Sequence, residues 1–315
     1  MNSDIIKCLV CNDLSEKILV NSDTVPGPWN GITHLASCPK CFFEWAIPEP
    51  DKKDLNQYYL DQFREKDSAK KVKMSFSIDN CLRGIAQIQL CRMFCNYQNL
   101  NAILDIGAGY GFTLEATDTL IASAKKYAIE PSKQTTQYLE KKGITVFQKI
   151  FEPEVTNEIN MNFDIIILSH VLEHFRGSEV KNVIFSLKSI LQKNGIVLCE
   201  VPNGKYDSRR ECPGRHLSFF SIESLKYLFE TSGYEVLFIN TCGDNSHTSS
   251  NKTSKVKEKY PFKFKSLINK IPYMKRRING LKAFLKGYPD AIFTPNFVYG
   301  GNRKNIRIIA KPLSL

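Results

Sequence analysis

Three groups of residues carry the chemistry open to this sequence. In Asp105-Ile-Gly107-Ala-Gly109-Tyr-Gly111, three glycines stand at alternate positions directly after the apolar run Ala102–Ile106. Lacking a Cβ, they reach dihedrals closed to other residues and let a bound molecule approach the main chain, while a helix opening at Phe112 would point its first amides at that molecule. Cys8-Leu-Val-Cys11 and Cys38-Pro-Lys-Cys41 repeat the Cys-x-x-Cys spacing. Two such turns can present four thiolates to one tetrahedral zinc, and because protein supplies every ligand that zinc would be structural, not catalytic. Arg215-His216 closes a Gly- and Pro-rich stretch. Imidazole titrates near neutral pH, so His216 can take a proton from a hydroxyl or from a carbon next to a ketone. A single histidine there also suits an ordinary loop residue.

The elements that must position these groups follow from the pattern around them. The apolar run before the glycines reads as a buried strand, and residues 126–129 read as the next one, ending at Glu130. A carboxylate at a strand's C-terminal tip can accept both hydroxyl protons of a ribose, although Glu130 before Pro131 also fits a simple helix N-terminal acid. The dinucleotide fingerprint needs its third glycine five residues after the first, where this chain has Phe112, so the spacing speaks against NAD. Strands are expected at 144–148, 163–169 and 195–201, with a helix over 178–192 between the last two. Strand and helix alternate, which calls for a parallel sheet covered on both faces. Residues 233–240 and 305–311 read as a sixth and a seventh strand that close the sheet as a hairpin. The stretch 201–220 is a loop over the crevice, and the helix from Ser221 starts with Glu223 as its capping acid. Apolar residues Ile78, Leu82, Ile85, Ile88 and Cys95 form a helical stripe that should pack beside the first strand, with Cys81, Cys91 and Cys95 as core residues. His170 and His174, four apart, have a metal-ligand spacing but no third ligand in the sequence around them.

The spacing Asp105-x-Gly107-x-Gly109-x-Gly111 resembles motif I of class I S-adenosylmethionine (SAM) methyltransferases. That resemblance implies SAM as cofactor, with Asp105, Gly107, Gly109 and Gly111 in its cradle and Glu130 on the ribose. It places Ser169 and His170 of Ser169-His-Val-Leu-Glu-His174 beside the methionine part, and Phe151 and Glu152 near the adenine. Base amino-methyltransferases are similar to one another in an Asn/Asp-Pro-Pro-aromatic segment where this chain has Ser169-His-Val-Leu172, which disfavours base methylation. The cysteine pairs, followed by Phe42-Phe-Glu-Trp-Ala-Ile-Pro-Glu-Pro50 and a helix with paired tyrosines Tyr58 and Tyr59, look like bacterial sugar methyltransferases, C-methyltransferases included. A sugar or sugar-nucleotide acceptor is thereby implied. Such enzymes often carry Glu-His-Leu at the loop's end, with the histidine as base in some. Arg215 stands in the glutamate's place here; it cannot orient the imidazole and would lower its pKa, but it can hold a phosphate in bidentate fashion.

The expected fold is therefore α/β, a class I methyltransferase with a Rossmann-like seven-stranded sheet whose last strand is antiparallel. Its parts are a zinc ribbon over 1–50, a helical connector over 51–98, the SAM-binding core over 99–240, a basic insertion over 241–304 and the final strand over 305–315. The 315 residues, 43% hydrophobic, suffice for one full α/β domain with appendages. No stretch reaches the ~20 apolar residues of a membrane span, and the polar start lacks a signal peptide's apolar run, so a cytoplasmic setting is expected. From residue 241 onward there are 16 basic against 3 acidic residues, a net of +13, which leaves −2 for the rest. Phe264, Leu267, Ile268, Ile271, Ile278, Leu281 and Leu285 recur among these lysines at helical spacing, after a polar linker over 244–259. Such a segment could lie on an anionic inner-membrane face, hold a polyphosphate-linked substrate, bind RNA, or simply cover the domain. An RNA methyltransferase docking through ribbon and basic region, and a noncatalytic SAM-fold binding protein, are the alternatives to a sugar methyltransferase; nucleic acid is the weaker partner reading.

Overall fold

The computed structural model describes residues 6–20, 27–61, 63, 74–121, 123–211, 213–245 and 299–313. The basic amphipathic stretch and its linker fall almost wholly outside the described residues. A small N-terminal sheet comes first, from β1 (Ile6–Lys7), β2 (Leu14–Leu19), β3 (His34–Ser37) and β4 (Glu44–Ile47), followed by helices α1 (Lys52–Asp61) and α2 (Met74–Arg92). The main domain then runs β5 (Ala102–Ile106), α3 (Phe112–Leu120), β6 (Lys125–Ile129), α4 (Lys133–Glu140), β7 (Thr145–Phe147), β8 (Phe163–Ser169), α5 (Val180–Ser186) and β9 (Leu191–Pro202). It closes with β10 (Ser218–Phe219), α6 (Ile222–Thr231), β11 (Tyr234–Asn245) and β12 (Arg303–Pro312).

Seven strands make the main sheet in the order β11-β12-β9-β8-β5-β6-β7. Pairs among β9, β8, β5, β6 and β7 are parallel, while β12 runs antiparallel to both β9 and β11. The expected sheet, with its reversed last strand, is what forms. Ile165 to Leu168 of β8 are each fully buried, worth about 1.5–3 kcal/mol apiece. Because side chains alternate along a strand, Ile166 and Leu168 enter the core on one face with Leu104 and Ile106, and Ile165 and Ile167 that on the other with Ile103 and Ile88. α2 lies against α3 so closely that a Cβ on Gly84 would sit 2.8 Å from Phe112 O. Cys91 is buried there and Cys81 and Cys95 are partly buried, as core thiols should be.

Two local expectations are corrected. The helix expected over 178–192 ends at Ser186, passes through a 3-10 turn at Leu187–Ile190, and yields to β9 at Leu191. Leu187, Ile190 and Leu191 are buried in the main core and Leu191 pairs with Phe163, so tertiary packing overrides helical periodicity. The capping acid Glu223 is replaced by a reciprocal serine box: Ser224 N donates to Ser221 Oγ at 3.0 Å, and Ser221 N to Ser224 Oγ at 2.9 Å.

The N-terminal sheet does not stand apart. Its fifth strand is β10, contributed by the loop after β9, with Ser218 opposite Trp45 and Phe219 opposite Glu44. Phe43 and Trp45 share a continuous core with Phe220 and Leu225, so the boundary expected near residue 50 separates sequence segments that share one core. Among the described residues no helix is long and apolar enough to cross a membrane.

Candidate functional site

A cleft opens at the C-terminal tips of β5, β6 and β8. That is where an open parallel sheet offers space at the reversal of strand order. Gly107, Glu130, Phe151, Glu152 and His170 line it, and α1 supplies the outer wall through Leu55, Asn56 and Tyr59. Gly107 has φ +68°, and a Cβ there would meet Val171 Cγ2 at 2.6 Å; Gly111, at φ +70°, caps α3, and its Cβ would lie 2.5 Å from Leu139 Cδ2. Both positions need glycine on grounds of conformation and of space. Glu130 is 4% exposed and accepts from Gly109 N at 2.9 Å and from Ser132 N at 3.2 Å. One carboxylate thus ties the glycine turn to the β6 tip. Asp105 is buried beside it and does not line the cleft; burial, and then the Glu130 charge, push its carboxyl up to about 8.

Beneath the cleft floor lies a polar network that sequence spacing does not reveal. Gln87 of α2, fully buried, donates to Ser169 Oγ at 2.7 Å and Glu200 Oε2 at 2.8 Å, and accepts from Thr113 Oγ1 at 3.0 Å. Arg307 of β12 meets Glu200 with Nε at 2.7 Å, and both are fully buried. Burial opposes the charge on Glu200, but Arg307, His170 and Arg83 outweigh it and hold the carboxyl well below its ordinary range. Ser169 therefore faces this network at the end of β8, whereas His170, at φ +57°, lines the cleft. Burial and Arg83 press His170 down, yet the Glu173 and Glu200 carboxylates leave it above its ordinary value.

His216 sits one ring behind the cleft wall. It is 2% exposed, and its ring centroid is 5.0 Å from that of His174, which does line the cleft. Asp207, nine residues upstream, holds His216 Nδ1 at 2.6 Å, so the orienting carboxylate missing at position 215 is supplied by the same loop. Burial would raise Asp207, but His216 and Arg209 beside it bring the carboxyl down to about 2. Arg209 donates from Nε to Asp207 Oδ1 at 2.9 Å and from Nη1 to His216 Nε2 at 2.5 Å. Arg215 points elsewhere, with its guanidinium over the Phe63 ring and its carbonyl accepting from His174 Nδ1 at 2.7 Å. That contact fixes the His174 tautomer. Ligand atoms of Glu173, His174 and His216 lie within 4.8 Å of one another, a grouping that leaves out His170, so the His170–His174 pair gains no third ligand from it. His216 offers that group no open nitrogen, with Asp207 on Nδ1 and Arg209 on Nε2.

The four cysteines converge at the other end of the same loop. Cys8 and Cys41 Sγ are 3.6 Å apart and Cys11 and Cys38 Sγ 3.4 Å, near the ~3.8 Å edge of a zinc–thiolate tetrahedron with 2.3 Å bonds. Amides of Val10 and Cys11 point at Cys8 Sγ, and that of Cys41 at Cys38 Sγ. The two turns superpose in design: Asn12 N and Phe42 N each donate 2.9 Å back to the first cysteine's carbonyl, at φ +63° and +58°. Phe42 therefore leaves the second turn undistorted, contrary to expectation for a bulky residue. The mutual contact of Cys8 and Cys41 draws Cys8 below and pushes Cys41 above the ordinary thiol value, so the pair shares one proton between two sulfurs.

The family model for a methyltransferase domain matches residues 63–238. No curated protein matches the chain. Among solved structures, the plantazolicin methyltransferase BpumL in complex with SAH is similar at 13% identity, with TM-score 0.50 over 82% of this chain and 94% of that one. Magnesium protoporphyrin IX methyltransferase from Synechocystis PCC 6803 with bound SAM gives 12% identity and TM-score 0.47 over 84% and 99%. A SAM-dependent methyltransferase from Archaeoglobus fulgidus gives 17% and 0.44 over 73% and 94%.

Proposed function

The chain belongs to the methyltransferase-domain family, and on that premise we propose that it transfers the methyl group of SAM to a sugar, nucleotide-linked or part of a surface glycan. The observation that carries the cofactor half is the meeting of Gly107 and Glu130 in one cleft at the sheet's C-terminal edge. SAM, when bound, supplies an electrophilic methyl on a sulfonium and leaves as a neutral thioether. Glu130, which holds the Gly109 and Ser132 amides at the β6 tip, is suited to accept the ribose hydroxyls as the family resemblance implies, and Gly107 lets the ligand approach the backbone. Phe151 and Glu152 suit the adenine, and His170 the methionine end, as the family resemblance implies.

The sugar half rests on the resemblance in the cysteine pairs and tyrosine helix, and on a cleft wall rich in hydroxyl partners: Asn56, Tyr59 and His174. With SAM bound, an acceptor hydroxyl in the cleft would take up the methyl group and give its proton to His216 Nε2. Asp207 holds Nδ1–H so that the free lone pair lies on Nε2. Because His216 is buried and Nε2 is held by Arg209, the loop must open toward the cleft and release that guanidinium, whose side chain is 55% exposed. The four thiolates fit a zinc-class ion in a structural role.

The test incubates the protein with methyl-labelled SAM and a panel of nucleotide sugars and follows the methyl mass increment. Wild type is expected to label at least one sugar, His216→Ala to do so roughly 10²- to 10⁴-fold more slowly, and His174→Ala to raise KM for the sugar more than it lowers kcat. Labelling of RNA alone would overturn the acceptor. Normal turnover in His216→Ala with loss in His174→Ala would move the base to the cleft-facing ring.

A further inference from the structure

The loop that carries Asp207, Arg209 and His216 is fastened to the N-terminal cysteine module more firmly than a docked appendage requires. Directly after His216, the chain enters β10 and pairs with β4, and Ala46 N donates to Leu217 O at 2.9 Å. Glu44, three residues past Cys41 and 8% exposed, receives both Nε and Nη2 of Arg210, the latter at 2.6 Å, and also Ser37 Oγ at 3.1 Å. A bidentate guanidinium–carboxylate pair fixes orientation as well as distance. At the loop's far end Ser221 Oγ donates to Cys41 O at 2.7 Å, so a thiolate turn is tied to the start of α6. Phe43 packs on Phe220 with ring centroids 5.2 Å apart. The loop's other anchors belong to the main domain: Asn203 N donates to Lys304 O at 2.7 Å, Leu217 N to Glu173 O at 2.8 Å and Ser218 Oγ to Phe175 O at 2.9 Å, while Gly204 N to Phe220 O at 2.8 Å joins the loop's own two ends. One edge of the His216 loop is therefore set by the main domain and the other by the cysteine module.

We propose that the four-cysteine module is the positioning element of the His216 loop, with Glu44 as the positioning residue that transmits metal-held order to Asp207 and His216. This deepens the reading of His216 as base and rests on it for function, but its physical content is independent of any acceptor. The second thiolate turn, Cys38 to Phe42, leads without a break into Phe43 and Glu44. A divalent ion that fixes Cys38 and Cys41 would fix the origin of β4, and hence Glu44 and the strand on which β10 is built. The cofactor cradle at Gly107 and Glu130 belongs to β5 and β6 and carries no contact to Glu44 of this kind, so the two ends of the site should respond differently to metal removal.

Amide hydrogen exchange on the full chain, with SAH titration alongside, tests this. In Glu44→Ala, amides within 204–219 are expected to exchange at least about tenfold faster, while those of β5 and β6 and the SAH affinity stay within about twofold. The downfield imidazole proton that His216 shares with Asp207 should broaden in the same variant. The exchanged pair Glu44→Arg with Arg210→Glu should restore both signals, which a purely local packing defect would not allow. Treating wild type with a zinc chelator should reproduce the Glu44→Ala pattern. Unchanged loop protection in Glu44→Ala or after metal removal would overturn the proposal. So would loss of SAH binding in step with the loop, since the module would then be holding the whole domain. Absence of turnover on every sugar would count against the acceptor reading and leave this one standing.

Discussion

At the scale of single residues, the site separates side chains that the sequence exposes from those only the fold brings together. Glu130 stands at a strand tip a fixed distance after a glycine turn, so its place in the cleft could be read directly. Asp207 could not, because an acid in a Gly- and Pro-rich loop has many possible partners and only folding sets its oxygen 2.6 Å from His216. The one available signal was that an acid shares the loop with the histidine. His174 gives a prediction at this scale. Burial, aided by the neighbouring His216, lowers it to about 4 despite Glu173, so the folded state prefers the neutral ring. The unfolded chain takes up that proton first, near pH 6.5, and stability conferred by the neutral ring is present above pH 6.5 and lost as pH falls toward 4. His170, held above its ordinary value, titrates on the other side of that window, and Asp207, at about 2, below it. Asp105, held up to about 8, gains stability over the same window in both proteins, so chemical denaturation between pH 7 and 4 should show wild type losing up to roughly 3 kcal/mol relative to His174→Gln. An identical slope in the variant would assign the effect to other groups.

At the scale of elements, alternation of buried strands and helices made the main sheet legible, and β8, with its apolar run Ile165–Leu168, fell where expected. Where the reading failed, tertiary contacts had won: Leu187, Ile190 and Leu191 carry a helical period but are drawn onto the core. The second cysteine turn shows local context overriding residue preference as well. Phe42 accepts a left-handed backbone because the turn's hydrogen bond and two cysteines determine it, and its side chain remains 57% exposed. Holding a non-glycine residue there costs about 1 kcal/mol. Phe42→Gly should therefore raise the stability of the module by a few tenths to about 1 kcal/mol, measured as the midpoint of chelator-induced unfolding. A lower midpoint would mean that the exposed ring contributes more packing than the backbone strain removes.

At the scale of the whole molecule, two sheets and one loop form a continuous body, with the cofactor cradle on one sheet and the histidine loop strung between both. Spacing of the cysteine pairs marked the four thiols that the small sheet brings together, but nothing in a local pattern could show that a two-residue strand from beyond β9 completes it. The account stands or falls on the cleft being a SAM site, and the direct measurement is calorimetric titration of SAM into the full chain and into Glu130→Ala. Glu130 offers a charged acceptor worth about 1.5–3 kcal/mol, so wild type should bind SAM and the variant roughly 10- to 150-fold more weakly. Equal affinity in the two proteins, or no binding by wild type, would contradict it.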